Sequence, residues 1–332
     1  MTTVGTGDLK YKPVEQWLYA PSGDLITEAV GVAVDSENKV YAFNRSGGVQ
    51  PAVIVFDSDG NLLDQWGQDD FTRPHGIWIT ESDTLILTDD LGHRVRRFTT
   101  SGELLGEVGP SDGVPADTGV EGFDYRKIRP GCGPFNMPTN AVTTSAGDIF
   151  VADGYGNARL HKFSPEGTYE QSWGEPGDGP MQFNLPHGLA IDASDRLYLG
   201  DRENSRIQIL STDGELLDTW TNVIRPCEIF IGHDELVYVA ELGALKGVFP
   251  WQDFGDDAIG GRISILDQQG NLLCRWGGEV IAHSKTDFYA PHDIWVDRDG
   301  DIYLSEVTLS AANATRSNPL DFWTLRKFAR VR

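Results

Sequence analysis

Apolar and polar residues alternate along the chain in a unit that recurs six times. Each unit opens with an apolar strand, turns into a second apolar strand with a polar end, and adds two strands of alternating character. Turns such as Ser58-Asp59-Gly60-Asn61 separate the strands, and several outer strands end in Trp-Gly. The first strands open at Val30, His75, Thr139, His187, Cys227 and His292.

This period predicts an all-β fold, a six-bladed β-propeller with four-stranded NHL-like blades. The units start 45, 64, 48, 40 and 65 residues apart, so we expect one domain over residues 1–332 with insertions at 110–132 and 243–260. The last unit has three strands, and we predict that residues 14–19 supply the fourth and close the ring. A β-sandwich, the competing fold, would not explain the four-strand period.

The composition suits short strands and disfavours several partners. The chain has 38 Gly and 17 Pro among 332 residues, which favours tight turns. Its formal charge is −23, from 50 acidic and 27 basic residues, so its surface repels nucleic acid and anionic membranes. We interpret the acidic excess as a solvation or salt-adaptation feature rather than a site for a basic partner.

The chain shows no basic and apolar leader and no stretch approaching 18 apolar residues. Its three cysteines, Cys132, Cys227 and Cys274, have no ligand-like spacing. These features predict a cytoplasmic protein without a disulfide framework. We expect a monomer that binds neither nucleic acid nor a membrane.

Three similar tripeptides carry the strongest chemical signal. Pro74-His75-Gly76, Pro186-His187-Gly188 and Pro291-His292-Asp293 open the second, fourth and sixth units. A closed ring of six blades brings these imidazoles towards one axis, about 120° apart. Three histidines with an open fourth position are typical of catalytic zinc. The alternative is that Pro-His-Gly is only a favourable turn before a strand, but its strict alternation favours a metal site.

Further candidates lie where the second strands end, at the same mouth of the channel. Arg45 could hold a carboxylate bidentately, or could be a surface charge beside a Gly-rich turn. We assign to substrate binding the charged residues Asp90, Arg202, Glu241 and Glu306. Acidic residues at such positions have an alternative role as caps of backbone amides. Asp293 could bind a hard cation such as calcium or orient His292.

A set of motifs, densest between Pro138 and Gln208, is shared with a known family. The motifs are Asp153-Gly154-Tyr155-Gly156-Asn157, Trp173-Gly174-Glu175, Leu185-Pro186-His187-Gly188-Leu189 and Asp201-Arg202-Glu203-Asn204-Ser205-Arg206. Through them the chain resembles the peptidyl-α-hydroxyglycine α-amidating lyases, propeller enzymes that complete the C-terminal amidation of peptides. Generic NHL propellers share the strand pattern but lack this combination.

The resemblance implies a metal-dependent lyase that splits an N-acyl-α-hydroxyglycine into an amide and glyoxylate. It implies that the three alternating histidines hold Zn²⁺, that Tyr155 is the catalytic tyrosine, and that Arg45 lies near the carboxylate of a small-molecule substrate. It also implies a structural Ca²⁺ on Asp293, with a backbone carbonyl near Ile77.

Two positions depart from the family. Gly156 stands where secreted members have a cysteine, so that disulfide is missing. Ala290 stands where characterised members have a methionine, two residues before the third histidine, and this change alters the pocket wall.

Two other functions fit the same pattern. One is a metal-dependent lyase or hydratase acting on another small α-hydroxy or carbonyl compound, because a fold does not determine a substrate. The other is a non-enzymatic NHL-type interaction propeller whose partner binds the same mouth. Stoichiometric metal would separate an enzyme from a scaffold, and glyoxylate release from a panel of α-hydroxyglycine derivatives would separate the two enzymes.

Overall fold

A computed structural model describes residues 3–15, 17–18, 25–245, 251–252, 254–280, 287–311 and 323–332. Two short N-terminal strands come first, β1 (Val4–Thr6) and β2 (Leu9–Pro13). The first blade contains β3 (Ala29–Val34), β4 (Val40–Asn44), β5 (Val53–Phe56) and β6 (Leu62–Trp66). The second contains β7 (Pro74–Ile79), β8 (Thr84–Asp89), β9 (Arg94–Thr99) and β10 (Leu104–Val108).

The third blade contains β11 (Pro138–Thr143), β12 (Ile149–Asp153), β13 (Arg159–Phe163) and β14 (Tyr169–Trp173). A small parallel pair follows, β15 (Glu175–Pro176) and β16 (Gln182–Phe183). The fourth blade contains β17 (Pro186–Ile191), β18 (Leu197–Asp201), β19 (Arg206–Leu210) and β20 (Leu216–Trp220). The fifth contains β21 (Pro226–Ile231), β22 (Val237–Glu241), β23 (Arg262–Leu266) and β24 (Leu272–Gly277), and the sixth begins with β25 (Pro291–Val296), β26 (Ile302–Glu306) and β27 (Leu325–Arg330).

The blades close into a ring around a central channel. Each blade is an antiparallel meander whose first strand lies innermost and packs against the first strands of both neighbouring blades. The contact of β25 with β3 joins the sixth blade to the first. The prediction of an all-β, six-bladed propeller with four-stranded blades is therefore confirmed.

The ring is closed by an N-terminal strand, but the predicted segment was wrong. The sixth sheet has the order β1-β2-β27-β26-β25, so Leu9–Pro13 pairs with β27 instead of residues 14–19. Tyr11 is fully buried in β2 and stacks on Trp276, at 5.5 Å between ring centroids. Trp17, which lies in the predicted segment, packs instead against Tyr303 after the strand has ended. Gln16 and Tyr19 lie outside the described residues.

The Trp-Gly ends of the outer strands have a conformational cause. Gly174 and Gly277 both have φ above +90°, a region that favours glycine. A Cβ at Gly174 would also lie 2.1 Å from the ring of Phe183. The tight turn therefore allows the chain to leave the blade's outer edge and return towards the channel.

The two predicted insertions lie on the face of the ring where the first strands begin. Residues 110–132 belong to the connection from β10 to β11 and contain a 3₁₀ turn, Tyr125–Lys127. Residues 243–260 connect β22 to β23, and of these 246–250 and 253 lie outside the described residues. No helix in the described ranges is long and apolar enough to cross a membrane.

We predict that Tyr11→Ala destabilises the protein by about 3 kcal/mol or more, because it empties a fully buried aromatic site in the closing strand. Urea unfolding followed by tryptophan fluorescence measures this change. Lys12→Ala, at an exposed neighbour in the same strand, should change the free energy of unfolding by less than about 0.5 kcal/mol. Equal effects of the two substitutions would contradict the assignment of β2 as the closing strand.

Candidate metal centre

A β-bulge at the start of each first strand turns one side chain into the channel. The pairing of the first and second strands shifts register beside His75, His187 and His292, and at the corresponding positions of the other three blades. A bulge re-aims a side chain and leaves its residue out of the sheet ladder. The bulged residues of the other three blades are Val30, Thr139 and Cys227.

Each imidazole is held by the bulged residue of the next blade. Nδ1 of His75 lies 2.7 Å from the Thr139 carbonyl oxygen, and His187 and His292 make the same contact at 2.8 and 2.7 Å with Cys227 and Val30. Because a carbonyl can only accept, Nδ1 carries the proton and donates it. Nε2 of each ring is therefore left as a lone-pair donor, the form that binds a metal.

The three rings meet in a nearly symmetric cluster. Their centroids are 4.8, 4.9 and 4.9 Å apart, and their possible ligand atoms all lie within 4.8 Å of one another. Zinc bonded to three nitrogens at about 2.1 Å needs them about 3.4 Å apart, so each ring would move inward by less than about 1 Å. The donor set and its spacing therefore fit a zinc ion.

Burial keeps these imidazoles neutral. It lowers the pKa of His75 and of His187 well below the usual value, and lowers the pKa of His292 to about 3. Neighbouring positive charges, including that of Arg45, lower the pKa of His292 further. Neutral histidines at physiological pH do not have to lose a proton before they bind a metal.

A second repeated contact fixes the loop before each bulge. The last residue of every second strand accepts a hydrogen bond from a backbone amide 17 residues earlier, in all six blades. The residues that accept these bonds are Asn44, Asp89, Asp153, Asp201, Glu241 and Glu306. Their side chains are fully or almost fully buried, so they serve the backbone.

Two of the predicted substrate-binding residues belong to this backbone contact. Glu241 accepts from the Ile224 amide and from Arg262, while Glu306 accepts from the Tyr289 amide and from Arg326. Neither lines the pocket, so we do not retain them as substrate ligands. The residues that follow them, Leu242 and Val307, face the pocket instead.

The polar candidates that stand one or two residues after the ends of the second strands come together at the pocket. Arg45 follows Asn44, Arg202 follows Asp201, and Tyr155 stands two residues after Asp153; all three line the pocket with His292. Asp90 follows Asp89 but is fully buried behind the lining, where its carboxylate contacts Arg73 at 2.7 Å. Burial raises the pKa of Asp90 to about 6, against the opposing charges of Arg73 and Arg45.

The hydroxyl of Tyr155 lies directly over the imidazole cluster. Its oxygen is 3.3 Å from Nε2 of His75 and 3.1 Å from Nε2 of His187. Nη1 of Arg202 donates to the same oxygen at 3.3 Å. The phenol is thus placed to exchange a proton with any group bound at the open side of the three histidines.

Most residues that line the pocket were not predicted from the sequence, among them Arg73, Phe123 and Trp251. The cavity has a volume of about 440 Å³, and Arg73, Phe123 and Trp251 line it together with the predicted residues. Phe123 and Trp251 come from the two insertions, whose ring contact at 5.4 Å between Tyr125 and Trp251 joins them. Arg73 could have been noticed, because Leu185 and Ala290 are its apolar counterparts before the other Pro-His pairs.

The two departures from the family have local causes. A Cβ at Gly156 would lie 2.2 Å from the side chain of Asn136, so this backbone leaves no space for a cysteine. Ala290 is fully buried beside Leu242, Val307 and Ala311, and is not itself among the residues lining the pocket. It therefore supports the pocket wall from behind rather than forming it.

Two carboxylates lie deeper in the channel, one residue beyond the bulges. Asp293 accepts from the Val32 amide at 3.1 Å, and Glu228 accepts from the Leu189 amide at 3.0 Å and from Asn140. Burial raises the pKa of both well above the usual value, and the charge of Asp293 raises that of Glu228 further. Ile77 lies nearby, since its side chain and Asp293 both approach Gly31.

Comparisons with known proteins identify the relatives of this chain. Residues 183–210 match the NHL repeat. NHL repeat-containing protein 3 of Homo sapiens is 28% identical over 299 residues, which cover 83% of this chain and 76% of that protein. Peptidyl-alpha-hydroxyglycine alpha-amidating lyase 1 of Drosophila melanogaster is 30% identical over 266 residues, or 75% of this chain and 45% of that protein. The chain is related to the amidating lyases.

This relationship confirms the resemblance that the motifs carry, although the chain matches less than half of the Drosophila lyase. The fold has a broader distribution. A gluconolactonase from Xanthomonas campestris has a TM-score of 0.59 and 13% identity, with coverage of 92% of this chain and 87% of that one. At this identity the similarity concerns the propeller fold alone.

We predict that Asp293→Asn stabilises the metal-free protein at pH 8, because it removes one charge of a buried like-charged pair and keeps an acceptor for Val32. A carboxyl whose pKa is raised in the folded state binds more protons folded than unfolded, so parent stability falls as pH rises above about 4. The gain should therefore shrink between pH 8 and pH 5. Thermal unfolding in a chelator measures it, and a Tm equal to or below that of the parent at pH 8 would contradict the pairing.

Proposed function

We propose that this protein is a zinc-dependent lyase that cleaves a small N-acyl-α-hydroxyglycine, or a close analogue, into an amide and glyoxylate. One observation carries the proposal: the Tyr155 hydroxyl lies 3.1 Å from Nε2 of His187, at the open side of three neutral imidazoles. The amidating lyases among its relatives have the named activity. A cavity of about 440 Å³ suits a small molecule.

The three imidazoles would hold zinc through Nε2, while their Nδ1 hydrogen bonds fix the rings. A zinc ion bound there supplies Lewis acidity, which lowers the pKa of a substrate hydroxyl. The cleavage removes the hydroxyl proton, forms the C=O bond of glyoxylate and breaks the C–N bond, whose nitrogen takes up a proton. Tyr155 Oη, 3.1 Å from Nε2 of His187, would accept the first proton and return it to the amide nitrogen.

The guanidinium groups of the pocket would orient the substrate. Arg202 donates to Tyr155 Oη and would hold the phenol oxygen in position during the transfer. An arginine holding the substrate carboxylate would fix the carbon that carries the hydroxyl beside Tyr155. Apolar groups from Leu242, Val307 and Phe123 provide a wall for the acyl part.

We further propose that Asp293, with Glu228, binds a structural calcium ion in the channel. Calcium prefers oxygen ligands, and a bound cation would replace the protons that the two buried carboxyls favour and would balance their charge. A backbone carbonyl near Ile77 would complete the site. Calcium should raise the Tm of the parent protein and have little effect on Asp293→Asn.

Metal content and glyoxylate release test the proposed reaction together. We expect about one zinc per chain after purification without chelator, and release of glyoxylate from N-benzoyl-α-hydroxyglycine. His187→Ala should lose both, because it removes a ligand. His233→Ala, at an exposed histidine, is the matched control and should retain both. Metal without glyoxylate would favour another small hydroxy or carbonyl substrate, and neither would favour an interaction propeller.

We predict that Tyr155→Phe lowers kcat by about 10²- to 10⁴-fold with zinc content unchanged, because it removes the proton carrier and no metal ligand. Elemental analysis and steady-state kinetics measure the two effects. Tyr169→Phe, which removes a hydroxyl from an outer strand, should match the parent. Loss of zinc together with activity would show that Tyr155 supports the metal site instead.

A further inference from the structure

Arg73 occupies a position where the other histidine motifs have apolar residues. It stands directly before Pro74-His75, whereas Leu185 and Ala290 stand before the other two Pro-His pairs and are fully buried. A charged group at a position that can be apolar has a desolvation cost unless it is paired. Asp90 supplies the carboxylate that pairs with Arg73 within the protein.

Arg225 is the internal comparison, because it precedes Pro226 at the same position of the fifth blade. Its guanidinium donates to both carboxylate oxygens of Glu203 and to the Gly243 carbonyl. This arginine is buried and its hydrogen bonds are made within the protein. Its role is structural.

Arg73 is less completely engaged. Its Nη2 lies 2.7 Å from Asp90, and its guanidinium stacks over the ring of Phe123 at 4.7 Å. Among the described residues, its Nε is buried without a hydrogen-bond partner, and no hydrogen bond from Nη1 is found. The group is thus fixed in place by a charge and a ring, while part of its side chain remains exposed to the pocket.

Arg45, the expected carboxylate ligand, has already used most of its donors. Its Nε and Nη2 both donate to the Pro74 carbonyl, at 3.2 and 3.1 Å, and its Nη1 donates to Ser310. These bonds hold the turn that carries Arg73 and His75. Burial lowers the pKa of Arg45, and the charge of Arg73 lowers it further.

We propose that Arg73 is the residue that binds the substrate carboxylate, and that Arg45 positions it by holding the Pro74 turn. The site is suitably placed, because the Arg73 guanidinium lies 5.7 Å from the centre of the Tyr155 ring. A carboxylate bound there would present the adjacent carbon to the Tyr155 hydroxyl and the imidazole cluster. This assignment rests on the proposed function, in which the substrate is an α-hydroxy acid derivative.

Binding of N-benzoylglycine to the zinc-loaded protein tests the assignment. This probe has the acylamide and the carboxylate but no hydroxyl, so it binds without reacting. We expect calorimetry to show that Arg73→Gln weakens binding by about tenfold to a hundredfold. Arg73→Lys should lose less, because it keeps the charge but not the planar pair of donors. Arg332→Gln, an exposed arginine with the same change of charge, should bind like the parent.

A second probe separates carboxylate binding from damage to the pocket. N-methylbenzamide lacks the carboxylate, so its affinity should be the same in Arg73→Gln and the parent. Equal loss for both probes, or an unchanged affinity for N-benzoylglycine in Arg73→Gln and Arg73→Lys, would overturn the proposal. A parent protein that does not bind N-benzoylglycine would overturn it as well.

The binding measurements do not depend on whether the protein catalyses the proposed reaction. If the parent releases no glyoxylate from the hydroxylated substrate but Arg73-dependent binding persists, the carboxylate site stands and the proposed reaction fails. If glyoxylate is released and Arg73→Gln changes neither KM nor affinity, the reaction stands and the assignment of Arg73 fails. Zinc content and Tm measured for each variant exclude unfolding as the cause.

Discussion

The hydrogen bond between each channel imidazole and the bulged residue of the next blade is the constraint on which the site depends. A bulge leaves a buried carbonyl outside the sheet ladder, and an unmet buried acceptor costs about 1–3 kcal/mol. His75 meets this need for Thr139, and the other two histidines do the same for Cys227 and Val30. Histidines therefore suit alternate blades, since each one needs an acceptor from the blade beside it.

The channel and the pocket above it share one scaffold. Each second strand ends in a buried polar side chain that holds the backbone 17 residues earlier, just before the bulge. This contact fixes the imidazole through the preceding loop and, one or two residues later in the chain, places a side chain on the pocket wall. Arg202 is positioned by the same Asp201 contact that positions His187, and Tyr155 by the matching contact of Asp153 in the third blade, which keeps these side chains in register.

The repeat made the fold and the three histidines predictable, because periodic sequence implies periodic position. The closing strand was harder, since Tyr11 and Trp17 are both aromatic residues near the N-terminus and only packing on Trp276 distinguishes them. The sequence located the pocket mouth only at the ends of the second strands, so Glu241 and Glu306 were assigned to it. Successive residues of a strand face opposite ways, and the next residues, Leu242 and Val307, line the pocket instead. The pocket residues of the insertions follow no period, so Phe123 and Trp251 required the structure.

Three arginines surround a site that fits a cation, and their pairing explains how this is tolerated. Arg45, Arg73 and Arg202 have carboxylates of Glu28, Asp90 and Glu203 at 3.5, 2.7 and 2.8 Å. Each guanidinium therefore acts locally, through hydrogen bonds, while its charge at the imidazole cluster is partly cancelled. Burial keeps the histidines neutral, and the remaining positive field lowers their pKa further and favours an anionic ligand in a chain whose formal charge is −23. The overall negative charge of the protein opposes the approach of a carboxylate, whereas Arg73 would attract it inside the pocket. Selection for the anion would therefore occur inside the pocket rather than during approach.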